Sequence, residues 1–167
     1  MSSYVQSLFD RFQTQGLLID ANLLLLDLVG SYDLRLVGDG RFNKLSKYTI
    51  EDYQLLTRLK RVFRTMVTTP HVLTEVSNLT GDLPEAVRMS CFGRFRDIFN
   101  GCEEIALSSF ELAQRPEFRF LGLTDSGLAA LSQAFLIVSD DGRMITALNR
   151  SGLDGLNFNH LREHLFR

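Results

Sequence analysis

An aspartate stands inside the apolar run of residues 17–30, LLIDANLLLLDLVG. Leaving a carboxylate unpaired in an apolar interior is expensive enough that chains rarely do it without a partner. The spacing resolves this by splitting the run in two. Residues 16–20 (GLLID) have the length and composition of a buried strand ending at Asp20, and ANLLLLDLVG continues as a helix expected to stop at Gly30. The same device recurs. MVTTP (66–70) reads as a short strand closed by Pro70, and AFLIVSDD (134–141) is the clearest strand in the chain. LDGLNF (153–158) is the last strand expected.

Helical patterns fill the gaps. The first dozen residues place Tyr4, Leu8 and Phe12 on one face. Thr49 is a signposted N-cap for the helix that follows, with acids in its first turn and bases in its last. HVLTEVSNLTG (71–81) is helical. Pro84 opens another helix with Val87, Cys91, Phe95, Ile98 and Phe99 on one side. EEIALSSFELAQRP (103–116) is read as a strand leading into a helix that Pro116 ends. LTDSGLAALSQ (123–133), GRMITALNRSG (142–152) and NHLREHLFR (159–167) supply the remaining helices, and 31–49 reads as a loop. Strands alternating with helices predict a three-layer α/β/α domain over residues 1–167, with a central, mostly parallel sheet of four to five strands. Function in such sheets gathers at the carboxyl ends of the strands. Asp20, Thr68, Thr69, Ser139, Asp140 and Asp141 are expected there.

Composition narrows the function classes. A net charge of −2 argues against a strongly basic nucleic-acid coat, while the excess of Arg over Lys leaves room for a local phosphate-binding face. Arg58, Lys60, Arg61 and Arg64 crowd the end of one helix, and Arg94 and Arg96 lie on another. These are nucleic-acid contacts in one reading and a solvated face complementing the helix dipole in the other. No apolar run is long enough to span a bilayer, and MSSYVQSLFDRFQ has no signal-peptide pattern, so a cytoplasmic protein without membrane contact is expected. Cys91 and Cys102 lack a paired metal spacing and are expected to stay reduced.

Acids recur at strand ends or helix starts in four segments: Asp20, Glu75, Asp125, and Asp140 or Asp141. Carboxylates sharing one crevice repel unless protons or a cation compensate. Hard oxygen donors point to Mg²⁺ or Mn²⁺, which also hold phosphate oxygens. Each acid also has an ordinary reading. Asp125 fits a helix cap, Glu75 a solvated helix face, and Asp140-Asp141-Gly142 a strand-to-helix turn. HLREH (160–164) fits a zinc-peptidase pattern but lacks a third ligand, so Leu161 and Leu165 are expected to pack with the histidines facing solvent. His71 is expected to help start its helix.

In this order the segments resemble the PIN domain, the metal-dependent ribonuclease family that includes the VapC-type toxins. LLIDANLLLL matches its first motif, TTPHVLTEVSNL its second, LTDSGLAAL its third acid and FLIVSDD its T-x-D-like fourth, over roughly residues 16 to 160. The resemblance implies an endoribonuclease using Mg²⁺ or Mn²⁺, with Asp20, Glu75, Asp125 and Asp141 as catalytic metal ligands. Asn22, Thr69 and Ser139 would hydrogen-bond those carboxylates. It also implies an RNA substrate, a homodimer and, for a toxin, an antitoxin protein. The chain departs from the family in two places. The doubled aspartate makes Asp140 an alternative ligand to Asp141, although the motif register favours Asp141, and 31–49 is longer than a compact toxin leads one to expect. The alternative function is a PIN-like module that binds RNA or protein without cutting. A haloacid-dehalogenase-like phosphatase would need a second aspartate where Asn22 stands.

Overall fold

In a computed structural model, which describes residues 3–40 and 42–165 but not the side chains of Phe99 and residues 163–165, the apolar runs become five parallel strands. They are β1 (Leu17–Ile19), β2 (Met66–Thr68), β3 (Cys102–Glu104), β4 (Leu136–Ser139) and β5 (Gly155–Asn157), in the order β3-β2-β1-β4-β5. The helices are α1 (Ser3–Phe12), α2 (Ala21–Tyr32), α3 (Ile50–Val62), α4 (Pro70–Gly81) and α5 (Glu85–Asn100). They continue with α6 (Ser109–Ala113), α7 (Phe118–Leu131), α8 (Gly142–Arg150) and α9 (Phe158–Leu165). The three-layer α/β/α fold expected from the strand–helix alternation is the one observed.

The topology follows from how parallel strands must be joined. The chain leaves β1 and steps to β2 and β3 in one direction, so right-handed crossovers put α2, α3, α4 and α5 on one face. There α2 packs against α3, α4 and α5. The chain then returns past β1 to β4 and β5, which places α7 and α8 on the other face. The order therefore reverses between β1 and β4. Their register pairs Leu17 with Leu136, Leu18 with Ile137 and Ile19 with Val138. All six of these side chains are almost fully buried, as a strand covered on both faces requires.

Several expected boundaries moved, each for a local reason. Gly30 does not stop α2, which runs on to Tyr32; a Cβ at Gly30 would collide with the Tyr53 ring, so the glycine is a seat for an α3 side chain. Tyr4 is exposed rather than packed, and α1 buries Val5, Leu8, Phe9 and Phe12 instead. Residues 33–48 contain a 3₁₀ turn at Leu34–Leu36 and bury Leu36, Val37, Phe42, Leu45 and Tyr48, so this segment is packed and not a free loop. α7 begins earlier than expected, with a break at Gly122 (φ 78°), and Asp125 falls in the first turn after that break. The Thr49 cap is as expected and forms a reciprocal capping box with Asp52. On α5, Cys91 and Phe95 are buried and Val87 and Ile98 pack against the core, while the side chain of Phe99 lies outside the described residues. Leu161 is buried and His160 exposed, as expected; the side chains of Glu163, His164 and Leu165 lie outside the described residues. Both cysteines are free thiols. No helix among the described residues is long and apolar enough to cross a membrane.

Candidate functional site

The strand order reverses between β1 and β4, and open α/β sheets bind ligands at the carboxyl ends of the strands beside such a reversal. Asp20 stands at that end of β1. The Asp20 backbone N–H donates to the Val138 carbonyl (3.1 Å), continuing the β1–β4 ladder by one residue, and its side chain caps α2 by accepting the Leu23 N–H (2.8 Å). The other carboxylate oxygen accepts the Ser139 hydroxyl and the Asp140 backbone N–H. Three donors favour the charged form, yet Asp20 is pushed up to about 7 because burial and the neighbouring Asp140 outweigh them. A carboxylate so fully engaged and still unwelcome as an anion is a place where added positive charge would be favourable.

Ser139 ties the crevice together. Its Oγ accepts the Asp141 N–H (2.9 Å) while donating to Asp20, which is the supporting role expected of it. Asp141 caps α8, accepting the N–H groups of Arg143 (2.7 Å) and Met144 (3.2 Å). Both cap bonds fall on Oδ1, so the cap itself leaves Oδ2 without a hydrogen bond from α8. On α7, Asp125 meets the field of Asp141 at the start of α8 and of Glu75 on α4. Burial, then Asp141, then Glu75 raise it to about 6.

Electrostatically, Asp20 is perturbed by Asp140, and Asp125 by Asp141 and then Glu75. Among the described residues no three His, Cys, Asp or Glu side chains already stand close enough to hold a metal ion. The donor chemistry nonetheless suits a hard cation. The groups are oxygen donors, and two of them resist ionisation. Two buried hydroxyls lack a partner, Thr68 Oγ1 at the end of β2 and Ser126 Oγ next in sequence to Asp125. Thr69 and Asn22 do not support the carboxylates as expected. Thr69 Oγ1 caps α4 by accepting the Val72 N–H (3.2 Å), and Asn22 makes no side-chain hydrogen bond to an acid among the described residues. His71, next after Pro70, pairs through Nε2 with Ser109 (2.8 Å).

The basic cluster lies elsewhere. α3 runs from the carboxyl end of the sheet toward the start of β2, so the exposed Arg58, Arg61 and Arg64 sit toward the opposite end from the acids. Lys60 pairs with the buried Asp27 (2.5 Å). A recess of about 380 Å³ opens beside that pair, lined also by Met66 and Cys102 at the amino ends of β2 and β3. Two groups with no motif to mark them reach the acids instead, Lys47 and Tyr48. Tyr48 donates its phenol to Asp140 (2.6 Å), and Lys47 forms an ion pair with the same carboxylate. The spacing of Phe42, Leu45 and Tyr48 was a sign that this segment packs; nothing local tells which strand end it reaches. Compared with known proteins, the chain matches no family model and no curated relative.

Proposed function

We propose that this protein is an endoribonuclease that hydrolyses RNA phosphodiester bonds with Mg²⁺ or Mn²⁺, in the manner implied by its resemblance to PIN domains. The observation that carries the reading is Asp20: buried at the switch point, beside a second acid, and raised to about 7. Convergent carboxylates have no use in a plain binding surface, and their mutual repulsion is relieved by a divalent cation. Asp20, Glu75, Asp125 and Asp141 would hold it, and the ion would supply charge neutralisation and a more acidic water. Ser139 keeps Asp20 in place, and the α8 cap keeps Asp141 in place. Glu75, the mid-helix acid of the set, would orient the attacking water. The toxin role, with its antitoxin and a homodimer, belongs to the same reading; growth arrest on expression that Asp20→Asn relieves would support it.

The test is cleavage of labelled single-stranded RNA with Mn²⁺, with EDTA, and by Asp20→Asn. Cleavage that needs Mn²⁺ and Asp20 is expected, and activity persisting in excess EDTA would sink the mechanism. The second reading, a PIN-like module that binds without cutting, draws on the lack of a ready three-acid group among the described residues. Metal-independent RNA binding with no cleavage at any Mn²⁺ concentration would decide for it.

A further inference from the structure

Residues 33–48 do more than link α2 to α3. Their buried anchors fix the path, and Gly38 (φ +76°) lets the chain turn so tightly that a Cβ there would stand 2.6 Å from the Tyr48 carbonyl. The segment ends by laying Lys47 and Tyr48 over Asp140. α9 braces both halves of this contact. Arg162 donates to the Lys47 carbonyl (3.0 Å) and to Asn159 Oδ1 (3.0 Å) while gripping the buried Asp52, and Asn159 Nδ2 donates to the Asp140 carbonyl (3.1 Å). The Asp140 side chain is 5% exposed and the Lys47 side chain 49%. The bracing holds an ammonium that is half in water, with donors to spare, at the rim of the acids.

We propose that Lys47 receives a backbone phosphate of the RNA beside the carboxylates, and that Asp140, with Tyr48, is its positioning residue rather than a metal ligand. The identity of the polyanion rests on the endoribonuclease reading. An acidic crevice repels RNA unless a cation at its edge offsets the field, and lysine serves phosphate as a point charge. Arg58, Arg61 and Arg64 lie toward the wrong end of the sheet to do this. Asp140 meanwhile spends one carboxylate oxygen on the phenol and the ammonium, and meets Asp20 through its backbone N–H.

The experiment is fluorescence anisotropy of a labelled single-stranded RNA on the full chain carrying Asp20→Asn, titrated with KCl in the absence of metal. Adding Lys47→Met should weaken binding and lower the salt slope by about 0.7, the value for one lost phosphate contact on a single strand. Lys47→Arg should restore the slope. Asp140→Asn, which frees Lys47 without removing its charge, should weaken binding at an unchanged slope. In the otherwise wild-type chain, Asp140→Asn should keep the Mn²⁺-induced rise in melting temperature and Asp141→Asn should lose it. An unchanged slope in Lys47→Met, undetectable RNA binding, or loss of the Mn²⁺ response on Asp140→Asn would overturn the proposal. A Lys47-dependent slope in a chain that never cuts RNA would instead overturn the nuclease reading and leave the contact standing.

Discussion

Two aspartates on or at the start of α2, Asp20 and Asp27, are buried to the same degree, 5% exposed each, and live in opposite electrostatic worlds. Asp27 lies about two turns along the helix, where the Lys60 ammonium reaches it across the α2–α3 contact. Asp20 faces another acid and is raised to about 7. The first is a charge brought into the core together with its counter-ion. The second is a charge brought into the core and left in want of one. Burial alone therefore says little about what a carboxylate is for; the sign of its neighbours separates a structural ion pair from a site poised for a cation.

The sharpest way to break this contrast is to neutralise each acid in turn. Asp20→Asn should slow RNA cleavage by at least about 100-fold, the upper end of what losing a mere supporting group costs a metal site. Asp27→Asn should leave cleavage and the Mn²⁺ response intact while lowering stability. Equal losses of activity in the two variants would erase the distinction.

The pH dependence comes next. Asp20 (about 7) and Asp125 (about 6) are both raised above their ordinary value of 3.8. The folded state thus holds their protons more tightly than the unfolded state does. Their contribution to stability is full below about pH 4 and is lost as pH rises through 6 and 7. The metal-free protein should weaken across that window by an amount on the order of a few kcal/mol. Urea unfolding at stepped pH should show a flatter profile in Asp20→Asn, and saturating Mn²⁺ should restore neutral-pH stability in the wild type only. A wild-type profile already flat from pH 4 to 8 would remove the evidence that Asp20 is strained.

Breaking the other pair should be milder. Lys60→Met leaves Asp27 unpaired and should destabilise by about 2 kcal/mol, less than the loss of a fully dry pair because the Lys60 side chain is 29% exposed. Asp27→Leu combined with Lys60→Met should recover most of that, read by the urea midpoint. Smallest of all, Arg61→Ala and Arg64→Ala should change cleavage by less than about twofold, since both are exposed toward the far end of the sheet and their charge is screened before it reaches the acids. A large effect would bring RNA to the amino end of the sheet.

Much of the fold was legible because strands and helices write their periods into consecutive residues. GLLID, MVTTP and AFLIVSDD each became a strand of the parallel sheet, and Thr49 became the cap expected of it. Where local rules failed, a distant partner had intervened. Gly30 looked like a helix stop, and the Tyr53 ring made it a helix interior. Arg58, Arg61 and Arg64 could be read as an RNA face or as a solvated helix face, and the direction of α3 places them toward the opposite end of the sheet from the acids. Asp27 drew no attention beside Asp20, because its lysine partner lies 33 residues away. Among the described residues Thr69 and Asn22, chosen by motif, make no side-chain hydrogen bond to the carboxylates; Ser139, chosen the same way, does.

The sequence by itself determined which residues end strands, which acids stand at those ends, and that the sheet is parallel and covered on both faces. These follow from side-chain period, cap chemistry and chain length between elements, all short-range quantities. Only the tertiary structure decided that Asp140 is the acid whose charge bears on Asp20 while Asp141 bears on Asp125, and that Lys47 and Tyr48 reach Asp140. The physical reason is that a carboxylate's charge state is set by every group around it, and those groups come together here only after the chain has crossed the sheet and returned.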